Sequence, residues 1–81
     1  MNFSEAINNL KQGHTVCREG WNGKDMFLTL VQVDAMRGSK VPEKGAKIDH
    51  CIAMYTAQKT WQPGWLASQA DMLANDWMIS D

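Results

Sequence analysis

The side chains able to do covalent or metal chemistry are few: His14 with Cys17, His50 with Cys51, and scattered carboxylates. A zinc site needs donors converging on one point. Neighbouring residues of a strand point to opposite faces, so His50 and Cys51 cannot serve one ion, and the overall spacing matches no ligand pattern. A Cys–His nucleophilic pair stays open on spacing alone, although single cysteines and histidines near strand centres are usually packing residues. Gly20-Trp21-Asn22-Gly23 is glycine-rich but lacks the lysine context of a phosphate loop. The residues therefore support no catalysis, metal or cofactor.

Non-covalent binding has more behind it. Trp21, Phe27, Tyr55, Trp61 and Trp65 offer more flat surface than a core of this size needs, and several fall at turns or strand ends. Such faces suit purine bases, at about 1–3 kcal/mol per stacked base. Between Trp65 and Trp77, Ser68 and Asp71 have the spacing of a capping box, which predicts a helix over about 68–75 with Ser68 as its cap. Asn75 is the expected left-handed terminator. The helix start would present backbone N–H groups to phosphates. Asn22, Gln69 and Asp71 could fix ribose hydroxyls or a base edge.

These groups need elements to hold them. Asn2 with Glu5, followed by Phe3, Ala6, Ile7 and Leu10 on one stripe, predicts a helix over 2–12, ended by Gly13. His14–Glu19 reads as a short strand. Asn22-Gly23 then signals a type I′ hairpin turn into a strand over 26–33. In that strand Met26, Leu28 and Leu30 alternate with Phe27, Thr29, Val31 and Val33, so both faces are apolar and both should be covered. The first helix can cover one face, and a second subunit or the second helix the other. Residues 34–47 form a charged loop, 48–57 a third strand, 59–64 an edge strand broken by Pro63, and 77–80 a last strand. The fold class is α+β: an N-terminal helix, an antiparallel sheet of four to five strands, and a short second helix near the C-terminus.

At 81 residues the chain is one domain spanning 1–81. A chain this small buries only about 60–65% of its unfolded surface, so its four tryptophans, six methionines or self-association must reinforce the core. A net charge of −1 argues against DNA and anionic membranes as partners. The basic residues are uneven, with Arg37, Lys40, Lys44 and Lys47 in one stretch. No apolar run approaches a membrane span and no leader pattern opens the sequence, which predicts a cytoplasmic protein with reduced cysteines.

Three stretches together resemble a known family: Asn2-Phe3-Ser4-Glu5-Ala6, Gly20-Trp21-Asn22-Gly23-Lys24 with Met26-Phe27-Leu28, and Trp65 through Ala74 with Asp76-Trp77. They are similar to the phage and prophage proteins described as the second family of Thoeris anti-defence proteins. The resemblance runs nearly end to end, apart from residues 34–47. It implies a non-enzymatic sponge in the cytoplasm of the infected bacterial host. Such a sponge binds intact the glycocyclic ADP-ribose signal of Thoeris defence. It also implies a homo-oligomer, a tetramer built from dimers with ligand pockets between subunits, and for some members a separate site for cyclic oligonucleotides of CBASS defence. Placed on this sequence, adenine would stack on Trp21, Phe27 or Trp65, with Tyr55 adding aromatic surface. Ser68 and Gln69 would meet phosphates or ribose, and Asp71 or Asn22 ribose hydroxyls. Arg37 and Lys40 are the candidates for the second ligand site. The rival reading is a structural or protein-interaction module of a phage that docks on a host protein.

Overall fold

Asn2 caps α1 (Phe3–Lys11) in the computed structural model, which describes residues 1–21, 25–31 and 50–81. Its side chain accepts from the Glu5 N–H, and the Glu5 carboxylate accepts in return from the Asn2 N–H, both at 2.9 Å. Two otherwise orphaned donors are thereby satisfied. Replacing Asn2 by alanine is expected to cost about 1 kcal/mol. Urea unfolding checks this, and an unchanged midpoint would show that the cap contributes nothing. Gly13 takes φ +96° with open space around it, as a left-handed helix terminator does.

Five short strands follow: β1 (Val16–Arg18), β2 (Phe27–Val31), β3 (Cys51–Tyr55), β4 (Trp61–Pro63) and β5 (Trp77–Ile79). All pairings are antiparallel, in the order β4-β3-β2-β1-β5. Pro63 therefore stands on an edge strand, where its missing N–H matters least. The last strand does not continue the hairpin succession but returns to the far side of β1, with Val16 opposite Ile79 and Arg18 opposite Trp77. The backbone N–H of Trp77 also donates to the Met1 carbonyl at 3.1 Å. The turn expected at Asn22-Gly23 lies outside the described residues, as does the loop expected at 34–47.

α1 lays Ala6 and Leu10 on Val16, Leu28 and Trp77, and these five residues form one buried cluster, while Ala53 is buried on the other face of the sheet. Strand alternation then assigns the faces. Arg18, Leu28, Met54 and Trp77 share the side that α1 covers. Phe27, Thr29, Ala53, Tyr55 and Trp61 share the other, by the register Phe27–Tyr55–Trp61.

The second helix, α2 (Gln69–Leu73), is shorter than expected. Its capping box is complete, but it ends at Ala74 in extended backbone (φ −72°, ψ 151°), and Asn75 is not left-handed. The chain has to straighten at once to enter β5, which leaves no room for a left-handed cap. No described helix is long and apolar enough to cross a membrane. Cys17 and Cys51 are free and half-buried.

Candidate ligand-binding site

The expected aromatic residues form two groups rather than one. The first gathers Phe3, Trp21, Trp65 and Trp77 on the α1 side. Trp77 is its buried floor, 2% exposed, and Trp21 meets it edge-on at 5.4 Å between ring centres and 80° between planes. Trp65 stands 6.4 Å from Trp21 and 6.2 Å from Trp77, again at steep angles. Edge-to-face packing of this kind satisfies the ring quadrupoles and leaves outer faces available. Trp21 and Trp65 are half-buried, with part of each in solvent.

Local backbone places both walls. Gly64, at φ +77°, turns the chain out of β4, and the Trp65 N–H then donates to the Ile52 carbonyl at 2.8 Å. Trp21 follows the tight turn after β1, its N–H donating to the Arg18 carbonyl at 3.2 Å.

Asp71 lies where these pieces meet. Its Oδ1 accepts from Arg18 Nη1 at 2.8 Å and from the indole N–H of Trp21 at 3.3 Å. Its Oδ2 accepts from the Ser68 N–H at 3.1 Å, while the Asp71 N–H donates to Ser68 Oγ. The Asp71 carbonyl accepts the indole N–H of Trp77 at 2.9 Å. Arg18 Nε donates to Asp76 Oδ1 at 2.8 Å, and Asp76 Oδ2 accepts the Gly20 N–H at 2.9 Å. One guanidinium thus clamps two carboxylates on different elements, with a net charge of −1 over the three groups.

Burial pushes the Asp71 carboxyl up, but the hydrogen bonds from Arg18, Ser68 and Trp21 outweigh it and hold the group below its ordinary value of 3.8. Arg18 first, and the Gly20 N–H after it, hold Asp76 below the same value. A carboxylate depressed in the folded state contributes stability above its unfolded pKa and loses it as pH falls through the folded one. The clamp is therefore expected at full strength above pH 5 and progressively lost below about pH 4. Thermal melts from pH 7 to pH 3 read this directly, and a melting temperature flat below pH 5 would contradict it.

Gly20 is required by the clamp. A Cβ there would stand 2.9 Å from Asp76 Oδ2, on a carboxylate held at that oxygen by the Gly20 N–H and at the other by Arg18. Gly20→Ala is expected to lower the melting temperature by roughly a few degrees. A variant melting like the parent would show that Asp76 moves aside freely.

The second group comprises Phe27, Tyr55 and Trp61 on the opposite face. Phe27 and Tyr55 stack at 5.1 Å and 24°, and Trp61, 54% exposed, closes on both edge-on. Both described helices sit on the Leu28 side of the sheet, Arg18 reaching Asp71 from that side. Phe27 and Tyr55 therefore do not join Trp21, Trp65, Ser68 and Asp71 within one chain. Gln69 is exposed beside Ser68. Asn22, Arg37 and Lys40 lie outside the described residues.

The three sequence stretches singled out at the start thus converge on one spot: Phe3 from the first, Gly20 and Trp21 from the second, and Trp65, Ser68, Asp71, Asp76 and Trp77 from the third. A family model described as the Thoeris anti-defense 2-like domain matches residues 1–80. The chain belongs to that family. A Bacillus phage SP01 protein named Thoeris anti-defense 2 is 42% identical over 84 residues, an alignment spanning 98% of this chain and 93% of the phage protein. The residue that reasoning from sequence missed is Arg18. It is an arginine in a short strand otherwise made of Val16 and Cys17, a placement that calls for an anionic partner. Asp76, immediately before a strand, was the matching signal.

Proposed function

We propose that this chain is a sponge that captures the glycocyclic ADP-ribose signal of Thoeris defence and withholds it without cleaving it, in the cytoplasm of the infected host. Membership of the family supports the coarser part, a phage Thoeris anti-defence role. The observation that carries the finer part is the pair of half-exposed indoles, Trp21 and Trp65, standing on a buried third one beside a fixed carboxylate.

Capture without chemistry demands slow release, and slow release comes from walls already in place before the ligand arrives. Adenine would stack on Trp21 or Trp65. Asp71 has about four acceptor positions, of which three are used internally, so a ribose hydroxyl can donate to the remaining one on Oδ2. The clamp's net negative charge favours hydroxyl donors there over phosphates. The capping box supports the same assignment, because it engages the Ser68 and Asp71 N–H groups internally. Ser68 Oγ and Gln69 are left to meet ribose. The sheet face bearing Phe27, Tyr55 and Trp61 is the surface we assign to contact with further copies of the chain, as a tetramer requires.

Calorimetric titration of the purified protein with glycocyclic ADP-ribose tests the reading, followed by heat denaturation and recovery of the ligand. Tight binding and unaltered ligand are expected; no heat, or recovery of a cleaved product, would discard it. The exposure of Leu66 and Leu73, at 89% and 77%, favours a second reading in which the α2 region docks on a host protein. Melts with and without the signal separate the two, since only a ligand-binding protein is stabilised by it.

A further inference from the structure

We propose that Arg18 is a positioning residue for the Trp21 ring: it fixes the carboxylate to which that indole is tied, so an ion-paired clamp, and not packing alone, sets the orientation of the wall. Arg18 holds Trp21 at both ends. Its carbonyl accepts the Trp21 backbone N–H at 3.2 Å, and its guanidinium anchors Asp71, whose Oδ1 accepts the indole N–H at 3.3 Å. The indole bond is long and its donor is neutral, so its direction depends on where the carboxylate stands. The two guanidinium bonds are charge-assisted, both 2.8 Å, and join groups whose side chains are only 19%, 14% and 30% exposed.

The rest of the geometry agrees. Edge-on contacts with Trp65 and Trp77, at 63° and 80°, hold Trp21 by packing, and the indole bond to Asp71 adds a directional restraint that packing does not supply. The glycine before Trp21 lets Asp76 close on the backbone, which seats the second arm of the clamp. A planar fork with separate N–H groups is needed to face two carboxylates at once; a lysine offers one point charge and can serve one of them well. The consequence for capture rests on the sponge reading above, whereas the orientation of Trp21 does not.

The test uses nitrogen-15 spectra of the full chain, with the four indole signals assigned by single Trp→Phe variants, alongside titration with glycocyclic ADP-ribose. In Arg18→Gln the Trp21 indole signal is expected to move and broaden while that of Trp61, on the other face, stays. The Kd is expected to rise about tenfold, equivalent to about 1.4 kcal/mol. Arg18→Lys should recover part of both effects, which loss of fold stability by itself would not produce in step. A folded Arg18→Gln protein whose Trp21 signal is unmoved overturns the proposal, and a signal that moves with Kd unchanged overturns its consequence for capture. If Arg18→Gln does not fold, Arg18→Lys decides by the same two readouts. A parent protein that gives no titration removes the sponge reading and the capture consequence together, and the indole signal still decides whether Arg18 orients the ring.

Discussion

Trp77→Ala is expected to strip this domain of a large share of its stability. The ring is 2% exposed, packs against Phe3, Trp21 and Trp65, and belongs to the same core as Ala6, Leu10, Val16 and Leu28. Truncating a buried aromatic costs about 3–5 kcal/mol through lost transfer energy and the cavity left behind. A domain of this size holds about 4–12 kcal/mol in total, so one substitution removes a large share. Because α1 and β5 both rest on this ring, there is little that can collapse into the space. Trp77→Phe keeps most of the volume and loses mainly the hydrogen bond to the Asp71 carbonyl, for about 1 kcal/mol. Urea unfolding followed by near-ultraviolet circular dichroism compares the two. An alanine variant within about 1 kcal/mol of the parent would mean that Trp77 is not the floor of the cluster.

The second large effect concerns capture. Trp21→Ala and Trp65→Ala are each expected to weaken binding of glycocyclic ADP-ribose by about tenfold to a hundredfold, from about 1–3 kcal/mol per stacked base. The two rings touch, so the double variant should depart from the product of the single effects. Phe27→Ala lies on the other face, and combined with Trp21→Ala its effect should simply multiply. Titration of the parent and these five variants, with melts to confirm folding, measures both couplings. Full-strength binding by the Trp21/Trp65 double variant would move the ligand away from this cluster altogether.

What could be read in advance follows a physical division. Both capping boxes, at Asn2–Glu5 and Ser68–Asp71, are contacts between residues three apart, and both are formed. Alternation in β2 likewise assigned Leu28 and Phe27 to opposite faces before any partner strand was known. Strand order was not legible, because which strand lies beside β1 is decided by packing of the whole chain and not by any local pattern. The Arg18 clamp was missed for the same reason: its partners lie 53 and 58 residues away. The aromatic residues were recognised as a set, yet their partition into two surfaces needed the register that sets Phe27, Tyr55 and Trp61 in one row. Asn75 misled because a residue able to take left-handed backbone does so only if the chain has room to turn.

The place of β5 beside β1 has a consequence for how the molecule comes into being. A strand near the beginning acquires its second neighbour only after residue 79 has left the ribosome, since Val16 pairs with Ile79. Until then α1 has no Trp77 to rest on, Arg18 has no Asp76, and Trp21 has neither its floor nor a fixed acceptor. Closing so long an intervening segment is entropically slow compared with forming α1 or the β2–β3 pair. Assembly of the α1-side aromatic cluster therefore waits for β5, and a nascent chain stalled short of it would carry Trp21 and Trp65 without the Trp77 ring beneath them.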